Sequence, residues 1–349
     1  MQNNLWPMNA ALLAAVALLG GCQTLRFVYQ AGLGHIAILG AAQPIGEVIA
    51  APQTPPKLRA LLGRIEEVKA FGVAHGLTAS DNYRSFVQLD GEAAVWAVVA
   101  CKPLAFEPLL WSFPVVGSMP YLGWFDRLEA ERFAAGLRRQ GWDVAVRPVA
   151  AYSTLGWSND PLLSTMLARG PDVVGSLINT VLHESAHATI YVADQSVFNE
   201  SVATFIGDRL TGAYLDAHFG RRSGERAAYL YVEELWRERR QQMLAAFDAL
   251  RALYAGDLPD DAKLTKKAEI LAALTAAIGA HRPINNATLV DLRLYRAGET
   301  ELDTLLGACR GDWPKFLTAL RTVKSSDFET PHEESLGAVL SKLAGRCDP

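Results

Sequence analysis

The hydrophobic pattern divides the chain into a mixed α/β part followed by a helical part. Apolar residues recur at helical spacing over residues 57–75, which predicts an amphipathic helix. Over residues 83–148 short runs rich in Val, Trp and Phe predict the strands of a small sheet, with a helix at 126–139. From Asp160 onward the spacing is almost wholly helical. The pattern therefore predicts an α+β fold that is predominantly α-helical.

Three long helices are expected in the second part. Gly170-Pro171-Asp172 is typical of a break before a helix, which we expect to run from residue 173 to about 192. A second helix is predicted over about 196–219 and a third over 223–254. The short connection between the first two predicts that they fold back against each other as a tight helical hairpin.

Composition excludes one class of partner and limits the cysteine chemistry. A net charge of -4 and a pI near 6.0 give no basic surface for phosphates, so nucleic-acid binding is not expected. Apart from Cys22 the chain has Cys101, Cys309 and Cys347, which allow at most one internal disulfide. None has a second Cys or a His at ligand spacing, so we expect packing residues and no cysteine zinc site.

One segment, His183-Glu184-Ser185-Ala186-His187, carries candidate chemistry within the first predicted long helix. Residues four apart lie on one face of a helix, so His183 and His187 can bind the same metal ion. Glu184 lies beside them, where it can act as general base on a water at the metal. The rest of this helix is mostly apolar, so the polar trio is predicted to be buried. A zinc ion, one per chain, would satisfy all three side chains together.

A catalytic zinc site usually has three protein ligands, and the best third candidate is Glu200 on the next predicted helix. Twelve residues separate it from His187. His218 is the alternative, although the spacing of three-His sites is absent because Ile190 and Ala193 occupy the required positions.

Asp208 lies about two turns beyond Glu200 on the same predicted helix. Its carboxylate is a candidate for orienting a ligating histidine by accepting a hydrogen bond from the ring nitrogen that does not bind the metal. A solvated or capping aspartate is an equally good interpretation.

The segment Asn199-Glu200-Ser201-Val202-Ala203 resembles the third-ligand segment of thermolysin-like and aminopeptidase metallopeptidases, although the gap from His187 is shorter here. Together with other segments it also resembles a bacterial family of predicted aminopeptidases. These segments are residues 151–157, 159–162 and 284–287, with Tyr295. The resemblance implies a zinc metallopeptidase that acts on a peptide substrate.

Within that resemblance, Asn286 and Tyr295 are candidates for stabilising the oxyanion of the reaction, and Tyr152 is a weaker one. Asn286 can equally cap the following helix, and Tyr295 can equally be a core aromatic residue. An aminopeptidase also needs a carboxylate to bind the substrate's α-ammonium group. Glu107, Asp126 and Asp160 are nearby acids, but the sequence does not distinguish among them.

The N-terminus resembles a bacterial lipoprotein signal, since the apolar run Ala10 to Leu19 is followed by Gly20-Gly21-Cys22. The resemblance implies cleavage before Cys22, lipidation of its thiol and, because Gln23 follows, an outer-membrane anchor facing the periplasm. A buried N-terminal helix is the alternative. We expect residues 1–22 to be the signal peptide and 23–349 a single domain, with an α/β part (57–150) and a helical part (151–349).

These observations predict a zinc-dependent peptidase, with an aminopeptidase favoured by the resemblance. Two alternatives remain open at this point. One is a zinc endopeptidase, and the other is a non-catalytic helical lipoprotein of the cell envelope that binds a partner.

Overall fold

The computed structural model describes residues 22–113, 117–151, 159–167, 170–292 and 296–347. The helices are α1 (Cys22–Ala41), α2 (Ile45–Ala50), α3 (Pro56–Leu62), α4 (Ile65–Ala74), α5 (Arg127–Arg139), α6 (Val173–His187), α7 (Ser196–His218), α8 (Gly224–Ala255), α9 (Asp260–Ala277), α10 (Asn286–Leu292), α11 (Glu299–Ala308), α12 (Trp313–Leu320) and α13 (Gly337–Ser341). The strands are β1 (Gln43–Pro44), β2 (Ser85–Val87), β3 (Val95–Cys101), β4 (Trp111–Phe113), β5 (Gly117–Met119), β6 (Tyr121–Trp124), β7 (Asp143–Val149) and β8 (Leu162–Leu163). Long helices with small sheets confirm the predicted α+β, predominantly helical fold.

The larger sheet has β3 at its centre, with β6 and β7 antiparallel on either side. Every residue of β3 is buried, because α5 packs near one face of the sheet and α10 near the other. A strand covered on both faces reads as a continuous apolar run rather than an alternating one. This explains the sequence Val-Trp-Ala-Val-Val-Ala-Cys.

A second sheet connects the α/β part to the helical part. β2 pairs antiparallel with β1 and parallel with β8, so that Phe86 lies opposite Leu162. The residues just before these strands, Tyr83 and Asp160, are also joined, since the Tyr83 amide donates to the Asp160 carbonyl at 2.7 Å. β4 and β5 form a separate hairpin.

Two helices differ from the sequence prediction, and several short strands were not predicted. The helix predicted over 57–75 is two helices, α3 and α4, because the chain turns at Gly63 and Arg64. α6 ends at His187 rather than near residue 192, since the Thr189 and Ile190 amides both bond to the Ala186 carbonyl and close a turn. The short strands β1, β5, β6 and β8 were missed, since two to four residues give too weak a pattern.

The largest buried cluster contains residues from Ile38 to Cys347, so both ends of the described chain share one core. Cys309 and Cys347 form a disulfide in this core, whereas Cys101 is free and buried. The expectation that all three cysteines are simple packing residues was therefore wrong for two of them. Sequence allowed one bridge, but only the folding of the C-terminus onto α11 selects the pair.

Candidate metal centre

His183, His187 and Glu200 meet between α6 and α7. The Nε2 atoms of the two histidines are 3.1 Å apart. The Oε2 atom of Glu200 lies 3.6 Å from Nε2 of His183 and 3.7 Å from Nε2 of His187. These three side chains form the metal-ligating group found among the described residues. The hairpin predicted from the short α6–α7 connection therefore brings Glu200 to the two histidines.

The donor set and its spacing fit a zinc ion. Ligand bonds of about 2.1 Å in a tetrahedral site place neighbouring donor atoms about 3.4 Å apart. The three separations of 3.1, 3.6 and 3.7 Å are close to that value. The His187 side chain is only 9% exposed, and its Nδ1 is buried without a hydrogen-bond partner among the described residues. A proton on Nδ1 leaves the lone pair of Nε2 directed towards the other two donors.

The electrostatics of the group also favour a cation. Burial by itself would lower the pKa of His187, but the charge and hydrogen bond of Glu200, with the charge of Glu184, raise that pKa to about 9. Burial would likewise raise the pKa of Glu200, yet the two imidazoles hold it well below its ordinary value. The site thus stabilises positive charge on the imidazole side and negative charge on Glu200.

Close packing of α6 on α7 makes this geometry possible. A Cβ atom on Gly207 would lie 3.2 Å from the Cβ of His183 and 3.4 Å from the carbonyl oxygen of Asn179. Glycine therefore lets the two helices approach at the level of the first ligand. At the start of α7, the buried Asn199 amide accepts from the Val192 N–H and donates to the Val192 carbonyl, both at 2.8 Å. This pair of bonds fixes the connection immediately before Glu200.

The α6–α7 connection is held from outside by Ser118 of β5 and by His332. Asp194, in the left-handed region at φ 60°, accepts from the Ser118 amide at 2.7 Å and from its hydroxyl at 2.9 Å. His332 Nδ1 accepts from the Ser196 amide, so Nε2 carries the proton and donates to the Ser118 hydroxyl. Because His332 is a donor here, it cannot act as a base on Ser118. These bonds hold the connection in place.

Sequence reasoning missed Tyr83, which is buried near the proposed base. Burial raises the pKa of this phenol well above its ordinary value, and the charges of Glu184 and Asp160 raise it further. Tyr83 stays protonated and provides an O–H group near Glu184 and Asp160. It also has a left-handed backbone, with φ 62°. No sequence signal marks it, since only the β2–β8 pairing brings it to this position.

Two competing residues have other partners. His218 bonds through Nδ1 to the Tyr214 carbonyl at 2.9 Å, and its Nε2 lies 3.3 Å from Glu67. Asp208 accepts from the Asn179 amide at 2.9 Å and pairs with Arg296 at 2.6 Å. Since Asn179 precedes His183 by one turn, Asp208 supports the ligand-bearing helix rather than the imidazole that was predicted.

Asn286 was a candidate either for stabilising the oxyanion or for capping the following helix, and the structure places its side chain among internal hydrogen bonds. The side chain is fully buried, and its Nδ2 donates to the carbonyls of Lys102 at 2.8 Å and Pro103 at 3.1 Å. Its Oδ1 accepts from the Tyr254 hydroxyl at 2.7 Å. With donors and acceptor all used inside the protein, Asn286 holds the loop after β3. Tyr295 and Tyr152 lie outside the described residues.

The three candidate acids for the α-ammonium group have different environments. Glu107 pairs with Lys102 on the surface, and Asp126 caps α5 by accepting from the Glu129 amide at 2.8 Å. Asp160 is buried and approaches Tyr83, which in turn is close enough to Glu184 to respond to its charge. Of the three, Asp160 is placed towards the proposed base.

Comparison with known proteins gives one match. The model of the family described as "Putative aminopeptidase" matches residues 26–334, which includes α6, α7 and every ligand of the candidate centre. Searches of curated proteins and of solved structures gave no match. The family model covers most of the chain, so this protein belongs to that aminopeptidase family.

Proposed function

We propose that this protein is a zinc-dependent peptidase, and most specifically an aminopeptidase. The observation that carries the proposal is the convergence of His183, His187 and Glu200 on one point beside Glu184. Two imidazoles, one carboxylate ligand and one unliganded neighbouring carboxylate are the parts of a hydrolytic zinc site with an open position.

In this proposal the three ligands hold one zinc ion, which when bound acidifies a water molecule and polarises the peptide carbonyl. Glu184 accepts the proton of the attacking water and then passes it to the leaving nitrogen. Tyr83 keeps a protonated hydroxyl within the electrostatic range of Glu184. The bonds from Asn199 and Ser118 keep Glu200 in register with the two histidines.

Family membership supports the proposal that the peptidase is an aminopeptidase, whereas the residues by themselves support only peptide hydrolysis. An aminopeptidase requires a free α-ammonium group, and Asp160 is our candidate carboxylate, because its charge and that of Glu184 both raise the pKa of Tyr83. A blocked substrate separates the two activities. An aminopeptidase cleaves a free peptide and fails on its N-acetylated form, whereas an endopeptidase cleaves both.

We further propose that the chain is anchored in the cell envelope through a lipid on Cys22, facing the periplasm. The disulfide between Cys309 and Cys347 supports an oxidising compartment, since such bonds are rare in the reducing cytosol. Mass spectrometry of the purified protein tests the anchor directly, because lipidation adds a defined mass at Cys22.

The deciding experiment replaces Glu184 by Gln. The amide keeps the shape of the side chain but cannot accept the proton, so kcat should fall by about 10²- to 10⁴-fold. Zinc content, measured by elemental analysis, should remain at one per chain. Hydrolysis of amino-acid arylamides reports the activity.

Two results would reject the proposal. A Glu184→Gln protein of full activity would remove Glu184 from the mechanism. A wild-type protein that binds zinc at the three ligands but cleaves neither arylamides nor peptides would favour the non-catalytic lipoprotein.

A further inference from the structure

One face of α1 is apolar and exposed. Val28, Tyr29, Leu33, Ile36 and Leu39 are all exposed large hydrophobic side chains, and they follow one another at intervals of one, four, three and three residues. Such spacing places them along one side of the helix. We call this side the outer face of α1. A contiguous apolar surface of this kind on a folded protein marks an interaction site.

The opposite face of α1 is fixed to the protein. Phe27 contacts Phe113 and Trp124, with ring centroids 5.6 and 5.8 Å away. Gln30 donates to the Gly123 carbonyl and accepts from the Phe125 amide, both at 3.1 Å. These contacts to β6 and its neighbours fix the rotation of the helix. The outer face is therefore held away from the body of the protein.

The charge pattern around α1 suits a surface of lipid headgroups. The first acidic residue of the whole chain is Glu47, so α1 and everything before it lack Asp and Glu. Arg26, near the start of α1, pairs with Glu129 of α5. An anionic headgroup therefore meets no repelling carboxylate from α1 itself.

Length and hydropathy favour a helix that lies on a bilayer rather than one that crosses it. Among the helices of the described residues, none is long and apolar enough to span a membrane. α1 begins at Cys22, directly after the apolar run Ala10 to Leu19 and Gly20-Gly21. A lipid on Cys22 would put the first residue of α1 at the membrane surface, with the outer face following within a few turns.

We propose that the outer face of α1 lies on the surface of a lipid bilayer, with its apolar side chains at the headgroup boundary. This contact adds a second membrane interaction to the lipid anchor, as stable anchoring generally requires. The contact also fixes the orientation of the protein relative to the membrane, because α1 is held by contacts to the sheet that α5 and α10 cover. The inference is independent of the metal centre.

The test measures the depth of a single label on the full, natively processed protein in vesicles of phosphatidylethanolamine and phosphatidylglycerol. A fluorophore is attached at Ile36→Cys, and the matched control carries it at Tyr231→Cys on α8. The two parent side chains are equally exposed, at 66% and 61%. Cys101 is buried and Cys309 is bonded to Cys347, and labelling of the unsubstituted chain gives the background.

Lipids brominated along their acyl chains should quench the label at position 36 by roughly twofold or more and leave the label at 231 unchanged. A second variant, Leu33→Asp with Ile36→Asp, should weaken the membrane contact, because it removes two apolar side chains and adds carboxylates that an anionic headgroup repels; the readout is the loss of protection of α1 amides from hydrogen exchange in vesicles. Its zinc content should equal that of the unsubstituted protein.

Three results would overturn the proposal. Equal quenching at both positions would mean that α1 does not face the bilayer. Shielding of the label without vesicles, increasing with protein concentration, would assign the face to a second copy of the chain. Shielding without vesicles at every concentration would assign it to another part of the same chain. Lipid mass on Cys22 is measured separately, so that failure of the anchor and failure of the docking face are distinguished.

Discussion

Two buried polar clusters in this protein differ in how their hydrogen bonds are satisfied. In the metal cluster, His183, His187 and Glu200 direct their donor atoms at one another and at a shared centre. In the Asn286 cluster, Asn286 and Lys267 bond to main-chain carbonyls of the loop after β3, and Asp143 accepts from both residues. The donor atoms of the first cluster converge as the ligands of a cation do, and the hydrogen bonds of the second are complete within the protein.

This difference separates a site from a scaffold. A buried polar group costs free energy unless it has partners, so a cluster that is complete within the protein gives no binding energy to a ligand. A cluster whose lone pairs converge on one point gains the most free energy when it binds a metal ion. Both clusters contain residues that the sequence singled out, and their hydrogen-bond partners alone distinguish them.

The largest expected effect comes from removing a ligand of the metal cluster. His187→Ala or Glu200→Ala should lose zinc and, with it, several kcal/mol of transition-state stabilisation, which corresponds to about a thousandfold loss of kcat/KM or more. Elemental analysis and arylamide hydrolysis measure both effects. His218→Ala is the matched control and should retain zinc. If instead His218→Ala loses zinc and Glu200→Ala keeps it, the third ligand is misassigned.

The next effect is structural and comes from Lys267→Met. The substitution leaves the Asp143 carboxylate without the ammonium group that pairs with it inside the protein. Breaking a buried pair from one side generally costs about 3–5 kcal/mol of unfolding free energy. Urea denaturation measures this loss. Zinc content per folded chain should not change, and a loss of zinc at native stability would contradict the separation of the two clusters.

Asn286→Ala should destabilise the protein by about 3 kcal/mol, because the Lys102 carbonyl loses its side-chain donor and the Pro103 carbonyl keeps only the bond from Lys267. The folded fraction should keep its kcat/KM. A kcat reduced by orders of magnitude in a protein of native stability would restore Asn286 as a catalytic residue.

The smallest effect is expected for Tyr254→Phe, which removes only the hydroxyl that donates to Asn286. One lost hydrogen bond corresponds to about 1 kcal/mol of unfolding free energy. Urea denaturation of both variants compares the unfolding free energy that each one loses. If Tyr254→Phe loses as much as Asn286→Ala, the bonds from Asn286 to the loop carbonyls contribute little to stability.

Much of the fold and the centre of the site could be predicted, and particular residues show why. His183 and His187 are tied by helix geometry alone, so their spacing in sequence sets their spacing in space. Glu200 needed one further step, a hairpin, which the short connection made the natural choice. The role of Asn286 stayed open in the sequence, because the sequence does not show whether an asparagine amide faces a substrate or a loop carbonyl.

Tyr83, Asp160 and the disulfide partners lie far apart in sequence from what they contact. Their roles depend on the parallel pairing of β2 with β8 and on the C-terminus packing against α11. Contacts of this kind produce no local periodicity, so no pattern in the sequence predicts them.

The sequence by itself determined the helical body, the two histidines on one helix face and the glutamate next to the first of them, because each depends on intervals of a few residues. Only the tertiary structure decided that Glu200 rather than His218 completes the metal cluster, that Asn286 belongs to the scaffold, and that Tyr83 lies near Glu184. The physical reason is that a side chain's function depends on which groups satisfy its hydrogen bonds and charge, and those groups come from distant parts of the chain.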